Sequence, residues 1–248
     1  MVNNLFRGWL RQMGMSDLLL IHGLTYDHRA WTPLRKHLDP GRRVLAVDLP
    51  GHGSSPRRDA YPLTDLIAAV HEQVTAAGLI EPVVVGHSAG AIIAGAYAAR
   101  YPAAAVVNID QMLLPGPFFA VVRTAEPQLR GPRWREFWER MLAGMGIESL
   151  PDDARKLVET ATDPRQDLLL GYWDEILRET DEQIRENRLR ELRAIASKGI
   201  PYHWVNASEP PTAYLRWLRS VLPQAEVTVV PGGHFPHIAD PAAVAAML

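Results

Sequence analysis

Short apolar runs that are unbroken rather than alternating constrain this chain most. Asp17-Leu-Leu-Leu-Ile21 runs into His22-Gly23, Arg43-Val-Leu-Ala-Val47 into Asp48-Leu-Pro-Gly51, and Pro82-Val-Val-Val85 into Gly86-His-Ser-Ala-Gly90. Three further candidate strands follow: Ala105-Val-Val-Asn-Ile109 ends at Asp110, Tyr202-His-Trp-Val205 at Asn206, and Ala225-Glu-Val-Thr-Val-Val230 at Pro231-Gly-Gly-His234. A strand wetted on one face alternates apolar with polar residues. Continuous hydrophobicity over four or five residues therefore predicts a strand buried on both faces. Helical stretches such as Leu63–Ala77 and Ala91–Arg100 stand between the runs. Strand and helix in alternation predict an α/β fold: a mostly parallel sheet whose right-handed crossovers lay helices on both faces.

From about Pro115 to Ala196 the alternation stops. This stretch holds no convincing strand but several amphipathic helical patterns dense in Arg, Glu and Asp. Trp134 and Trp138 stand one helical turn apart with Phe137 beside them, and Trp173 follows. One reading is a solvated helical insertion whose tryptophans pack it onto the sheet. The other is a lid whose aromatic face roofs a pocket, and it is favoured because the insertion follows a strand end, where open α/β sheets bind ligands. The expected division is a core of residues 1–114 and 197–248 with a helical cap over 115–196. The Glu/Arg run around Glu175–Arg193 reads most simply as a solvated helix face.

Composition removes several function classes. The 248 residues suffice for a sizeable core, and the chain has no cysteine, which excludes a disulfide scaffold, a thiolate metal site and a thiol nucleophile. Lys and Arg number 26 against 28 Asp and Glu, a formal charge of −2, far from the basic excess of a nucleic-acid or anionic-membrane binder. No apolar window reaches transmembrane length, and the opening MVNNLFRGWLRQMG lacks a signal-type apolar region. The expectation is a soluble, cytoplasmic protein that acts on a small molecule without metal or cofactor and binds neither nucleic acid nor membrane.

Gly86-His87-Ser88-Ala89-Gly90 matches G-x-S-x-G between a predicted strand and a predicted helix. That context matters more than the pattern, which arises by chance fairly often. Chemistry of this type needs a sharp turn that pushes the serine Oγ out at the carboxyl edge of the sheet. Glycines two before and two after the serine give the crowded turn its space. A helix beginning just after Ser88 also aims free backbone N–H groups at developing negative charge.

These residues resemble the α/β-hydrolase superfamily, and the resemblance runs over nearly the whole chain. His22-Gly23 is similar to the family's oxyanion turn, which implies an oxyanion hole formed by the Leu24 and Ala89 amides, with His22, Gly23 and His87 lining the pocket. Asp48-Leu-Pro-Gly-His-Gly-Ser54 is similar to the family's D-x-P-G-x-G-x-S loop and reads as a tight structural turn. The sixteen residues before Asp17 are too few for the family's usual amino-terminal hairpin. The expectation is a shortened sheet edge, or one strand built from Asn4–Gln12.

A serine hydroxyl needs a histidine to take its proton, and the imidazole needs a carboxylate to fix its tautomer. Of nine histidines, His234 follows the last predicted strand, where the superfamily carries its base; His237, three residues on, is the decoy. Hydrolase order, Ser then Asp/Glu then His, leaves two acids. Glu209, in Asn206-Ala-Ser-Glu-Pro, occupies the loop where many relatives place it. Asp110 closes a wholly apolar run, which is costly for a carboxylate unless it is paired, and it is favoured.

Asp27-His-Arg, Asn108-Ile-Asp110, Arg133-Trp-Arg-Glu136, Ser208-Glu-Pro and Gly233-His-Phe-Pro-His-Ile also resemble the cofactor-free 3-hydroxy-4-oxoquinoline 2,4-dioxygenases, a hydrolase-fold group with its acid at the Asp110 position. The resemblance implies a His/Asp pair that deprotonates a ring hydroxyl whose anion reacts with oxygen. Leu24-Thr25-Tyr26 and Ala89 replace the bulky aromatic and histidine residues of that group. The expected function is therefore a serine hydrolase of a small or medium apolar or aromatic carboxylic ester, lactone or thioester. A cofactor-free dioxygenase is the alternative, and a ligand receptor on the same scaffold the third.

Overall fold

The structure, a computed structural model, describes residues 16–248. Each apolar run forms a strand: β1 (Leu18–Ile21), β2 (Val44–Val47), β3 (Val83–His87), β4 (Ala105–Ile109), β5 (Tyr202–Asn206) and β6 (Glu226–Val229). They make one sheet in the order β2-β1-β3-β4-β5-β6, and every pairing is parallel. Among the described residues β2 is an edge, with no strand beyond it. A strand over Asn4–Gln12 lies outside the described residues.

Why the runs are continuous is visible in the two cores. Leu19, Ile21, Val84 and Val106 point to one face, and Leu18, Leu20, Val83, Val85 and Val107 to the other. Both faces are covered, so both sets of alternate positions are mostly apolar, and the buried polar residues Asn108 of β4 and His203 of β5 are hydrogen-bonded. The second face is closed by Trp31 and Leu34, from the helical turn ending in α1 (Thr32–Arg35), and by Val244 of the last helix.

The first face is covered by α2 (Leu63–Ala76) and α3 (Ala89–Arg100). The elbow helix thus starts two residues earlier than the predicted Ala91, directly after Ser88. Residues 115–196 are helical as expected: α4 (Pro117–Thr124), α5 (Glu126–Arg130), α6 (Trp134–Ala143), α7 (Asp152–Thr160), α8 (Gln166–Tyr172), α9 (Asp174–Arg178) and α10 (Asp181–Ser197). Of these, α10 shares the main core with α3 through Leu192 and Ile195. Its charged run is not wholly solvated: Arg188 is buried, held by Glu175 and Glu191. Three short helices complete the chain, α11 (Thr212–Val221), α12 (Pro236–Ala239) and α13 (Pro241–Ala245). No helix among the described residues is long and apolar enough to cross a membrane.

His237, on α12, is fully buried between Trp31 and His87, at ring-centroid distances of 4.6 and 4.4 Å, and neither ring nitrogen finds a hydrogen-bond partner among the described residues. Burial pushes its pKa down to about 3, with a smaller push from His234. The unfolded ring, near 6.5, binds a proton that the native ring refuses, so native stability rises with pH across that interval and falls on acidification. Urea unfolding between pH 7 and pH 4 should therefore show stability lost below about pH 6.5, at up to ~1.4 kcal/mol per pH unit for this group. His237→Leu should make that slope shallower by this group's share, the other buried histidines carrying the rest; an unchanged slope would show that His237 contributes nothing to it.

Candidate active site

Parallel register assembles the site. Ile21 pairs with Gly86 and His87 with Ile109, so the carboxyl ends of β1, β3 and β4 lie at one edge of the sheet. His22-Gly23, Ser88 and Asp110 are the residues that follow those ends.

The turn at Ser88 is tight. Its backbone sits at φ 53° and ψ −125°, a sparsely populated region for any residue with a Cβ. A Cβ on Gly86 would stand 2.2 Å from the Gly90 carbonyl oxygen, and one on Gly90 would stand 2.3 Å from that of Ile21. Both glycines of the motif are thus demanded by backbone closeness. Ser88 N–H donates to the Ile109 carbonyl at 3.0 Å, and Ser88 C=O accepts from Ala91. The Leu24 and Ala89 amides have no protein acceptor among the described residues, and both residues line the cavity above Ser88.

His234 and Asp110 meet across 124 residues of sequence: Nδ1 of His234 donates to Asp110 Oδ2 at 2.7 Å. The other carboxylate oxygen accepts from Ala207 N–H at 3.0 Å. Asp110 itself sits at φ 52°, just past the strand, in a turn locked by buried Asn108, whose amide donates to the Gln111 carbonyl and to the Tyr202 hydroxyl. The backbone of His234 is held at both ends. Its N–H donates to the Met145 carbonyl of the segment after α6 at 2.9 Å, and its C=O accepts from His87 Nε2 at 2.7 Å. Burial, with His237 and His234 as neighbours, holds the His87 pKa well below the usual histidine value, so this ring is a neutral Nε2–H donor. Ser88 and His234 line the same cavity without a hydrogen bond between their side chains.

Several expectations are corrected. Glu209 is exposed and forms no hydrogen bond with His234; the Ala207 amide in the same loop orients Asp110 instead. His22 does not line the cavity: it is fully buried, its Nε2 accepting Leu49 N–H at 3.0 Å while Nδ1 donates to the Gly23 carbonyl. Burial lowers its pKa, as it does that of His52, down to about 2, whose Nε2 accepts Thr25 N–H. The two rings cross-link the His22-Gly23 turn to the Asp48–Ser54 loop. Trp134 and Phe137 also lie off the cavity. Trp134 is half-buried under Arg135, and Phe137 packs edge-on behind Trp173 and faces a separate cleft. Gly23, His87, Trp138 and Trp173 do line the cavity. Sequence reasoning missed Met141, Met145, Tyr61 and the α3 face; only the helical spacing counted from Ser88 pointed to the last of these.

Asp27, His28 and Asp48 are the three described groups close enough together to share a metal ion. They are engaged by protein donors instead. Arg29 takes both oxygens of Asp27, and Ser54 and the His28 backbone satisfy Asp48. Burial opposes ionisation of Asp48, but those hydrogen bonds outweigh it and hold its pKa at about 2.

The family model described as "Alpha/beta hydrolase family" matches residues 18–247. The chain is 27% identical to the putative carbamate hydrolase RutD of Escherichia coli strain K12, over 93% of this chain and 89% of that protein. Its fold is similar to that of an AqdC variant solved with its substrate in work on recognition and ring-cleavage of the Pseudomonas quinolone signal. That match has a TM-score of 0.79 at 21% identity, over 94% of this chain and 89% of the other. A thioesterase domain from the curacin biosynthetic pathway matches with a TM-score of 0.67 at 22% identity, over 94% and 90%. A parallel six-stranded sheet, the tight serine turn after its third strand and a model match over almost the full length agree: this chain belongs to the alpha/beta hydrolase family.

Proposed function

We propose that this protein is a serine hydrolase that cleaves an apolar or aromatic carboxylic ester, lactone or thioester of small or medium size, through Ser88, His234 and Asp110, under a lid formed by residues 115–196. The observation that carries this reading is the strained backbone of Ser88. A serine held in that conformation costs of order 1–3 kcal/mol, and such strain collects where a side chain must be presented rather than packed.

In this mechanism Ser88 Oγ attacks the substrate carbonyl while His234 Nε2 takes its proton. Asp110 accepts the Nδ1 proton in a hydrogen bond, which keeps Nε2 free and stabilises the imidazolium that forms. The unengaged Leu24 and Ala89 amides receive the tetrahedral oxyanion; losing one such donor typically costs about 10²–10³ in rate. His234 then protonates the leaving group, and water releases the acyl-enzyme by the same steps. The missing Ser88–His234 hydrogen bond is compatible with this, because such contacts tighten when substrate arrives. A carbamate carbonyl, the group in the name of the Escherichia coli relative, presents the same electrophile.

A second reading draws on that same missing bond and on the fold shared with AqdC. The His234–Asp110 pair would deprotonate a hydroxyquinolone-type ring hydroxyl, the anion would react with oxygen, and Ser88 would not be a nucleophile.

A fluorophosphonate probe should label the wild type and spare Ser88→Ala. Oxygen uptake with carbon monoxide release from a 3-hydroxy-4-quinolone, retained in Ser88→Ala, would overturn the hydrolase in favour of the dioxygenase. Tight ligand binding with neither reaction would leave the receptor. Asp110→Asn should lower kcat by about 10²–10⁴, and Glu209→Gln should leave it within about twofold. Equal, small losses in both would defeat the assignment of Asp110.

A further inference from the structure

The unengaged Leu24 amide over Ser88 belongs to a turn whose next residue is strained. Thr25 sits at φ 71°, a left-handed conformation in which a β-branched residue is an outlier. Such a backbone persists only where its surroundings over-determine it, and the polar groups of this buried threonine are all engaged. Its N–H donates to His52 Nε2 at 3.0 Å. Its hydroxyl shares a hydrogen bond with that of Thr162 at 2.8 Å. Its C=O accepts from Asp163 N–H at 2.8 Å and, at a longer 3.4 Å, from the Thr162 hydroxyl.

Thr162 and Asp163 lie between α7 and α8, with Thr162 137 residues further along the chain than Thr25. Thr162 also forms an antiparallel bridge with Tyr26, so the contact has the geometry of strand pairing. The same stretch reaches the other partner of Thr25. Arg165 donates to the Gly51 carbonyl at 2.7 Å and the Tyr172 hydroxyl to the Pro50 carbonyl at 2.8 Å, and the Tyr172 ring stands edge-on to His52 at 4.9 Å. The turn is thus held directly through Thr162 and Asp163, and a second time through the loop that carries His52. Neither Thr25 nor Thr162 lines the cavity over Ser88, so neither touches a ligand there.

We propose that Thr25 and Thr162 are positioning residues for the oxyanion: the segment between α7 and α8 holds Thr25 in its strained conformation, and Thr25 in turn fixes the neighbouring Leu24 N–H toward the cavity. A donor fixed in advance needs no reorganisation when charge develops on the substrate oxygen, and this is what makes it effective. That the Leu24 amide receives an oxyanion rests on the serine hydrolase reading; the grip on the turn does not.

The test uses p-nitrophenyl butyrate. Thr162→Val keeps the shape of the side chain and removes its hydroxyl. Its kcat should fall about tenfold or more while KM stays within about twofold, and Thr162→Ser should keep the wild-type kcat. Affinity for a trifluoromethyl ketone, whose adduct with a serine carries the oxyanion, should fall in step with kcat/KM. A merely structural role would lower Tm without changing the affinity for the ketone. Should Thr162→Val not fold, Thr25→Gly replaces it, since glycine takes φ 71° without strain and lacks the hydroxyl, and the same split is expected. An unchanged kcat in a folded variant, or an equal loss in Thr162→Ser, would overturn the proposal. If butyrate is not a substrate but a fluorophosphonate labels Ser88, the labelling rate stands in for kcat. If neither reaction occurs the serine reading fails, and hydrogen exchange at the Thr25 and Tyr26 amides decides the grip on the turn. Exchange about tenfold faster in Thr162→Val supports it, and unchanged exchange overturns it.

Discussion

The closeness of backbones at the turn between β3 and α3 is the constraint on which the rest of the site depends. Positions 86 and 90 tolerate no side chain, because carbonyl oxygens stand within 2.3 Å of where a Cβ would be. One of those oxygens belongs to Ile21, so the packing that bends the chain at Ser88 also presses the elbow helix against the end of β1. Gly23 is drawn in by the same contact: a Cβ there would lie 2.9 Å from His87 Nδ1 and 3.3 Å from the Ser88 Cβ. The unengaged Leu24 amide next to it therefore stands beside the serine as a result of backbone packing.

Around that turn, polar groups are buried but mostly answered. His22 and His52 each accept one backbone N–H and donate to one carbonyl, and burial keeps both neutral, as these roles require. Asn108 satisfies the turn that carries Asp110, and Ala207 N–H sets the carboxylate. His234 is anchored through both of its backbone polar groups, once to the residue before Ser88 and once to the helical segment above. Each bond removes a freedom that the proposed proton transfer would otherwise have to remove. Among the described residues His237 is an exception, a buried ring without a hydrogen-bond partner packed between two other rings, as are the Tyr26 hydroxyl and the Trp31 and Trp138 ring N–H groups.

The helical segment does two jobs with similar residues. Trp138 and Trp173 face the cavity, while Phe137 and Trp134, on the same helix as Trp138, pack elsewhere. Its charged residues divide in the same way: most meet solvent, but Arg188 is enclosed with Glu175 and Glu191 across two helices. Breaking such a buried pair exposes the remaining charge to an apolar surround, so the cluster fixes α9 against α10.

All six strands, their parallel pairing, the presence of the helices over 63–77 and 91–100 and the elbow at Ser88 were legible in the sequence. These are short-range properties: an apolar run longer than alternation permits, or a pair of glycines about a serine, states its own requirement. That Asp110 is paired was legible as well, because an acid ending a largely apolar strand needs a partner, which is His234. The chain alone could not say that Glu209 stays in solvent, since reach to His234 depends on how loops far apart in sequence come to rest on one sheet edge. Nor could it divide the tryptophans, because a helix presents several faces and only its neighbours decide which one is covered. The sequence by itself determined the sheet and the tight serine turn, through periodicity and backbone crowding. Tertiary packing decided which carboxylate meets His234 and which aromatic side chains reach the cavity, because each depends on distances between segments that no local pattern encodes.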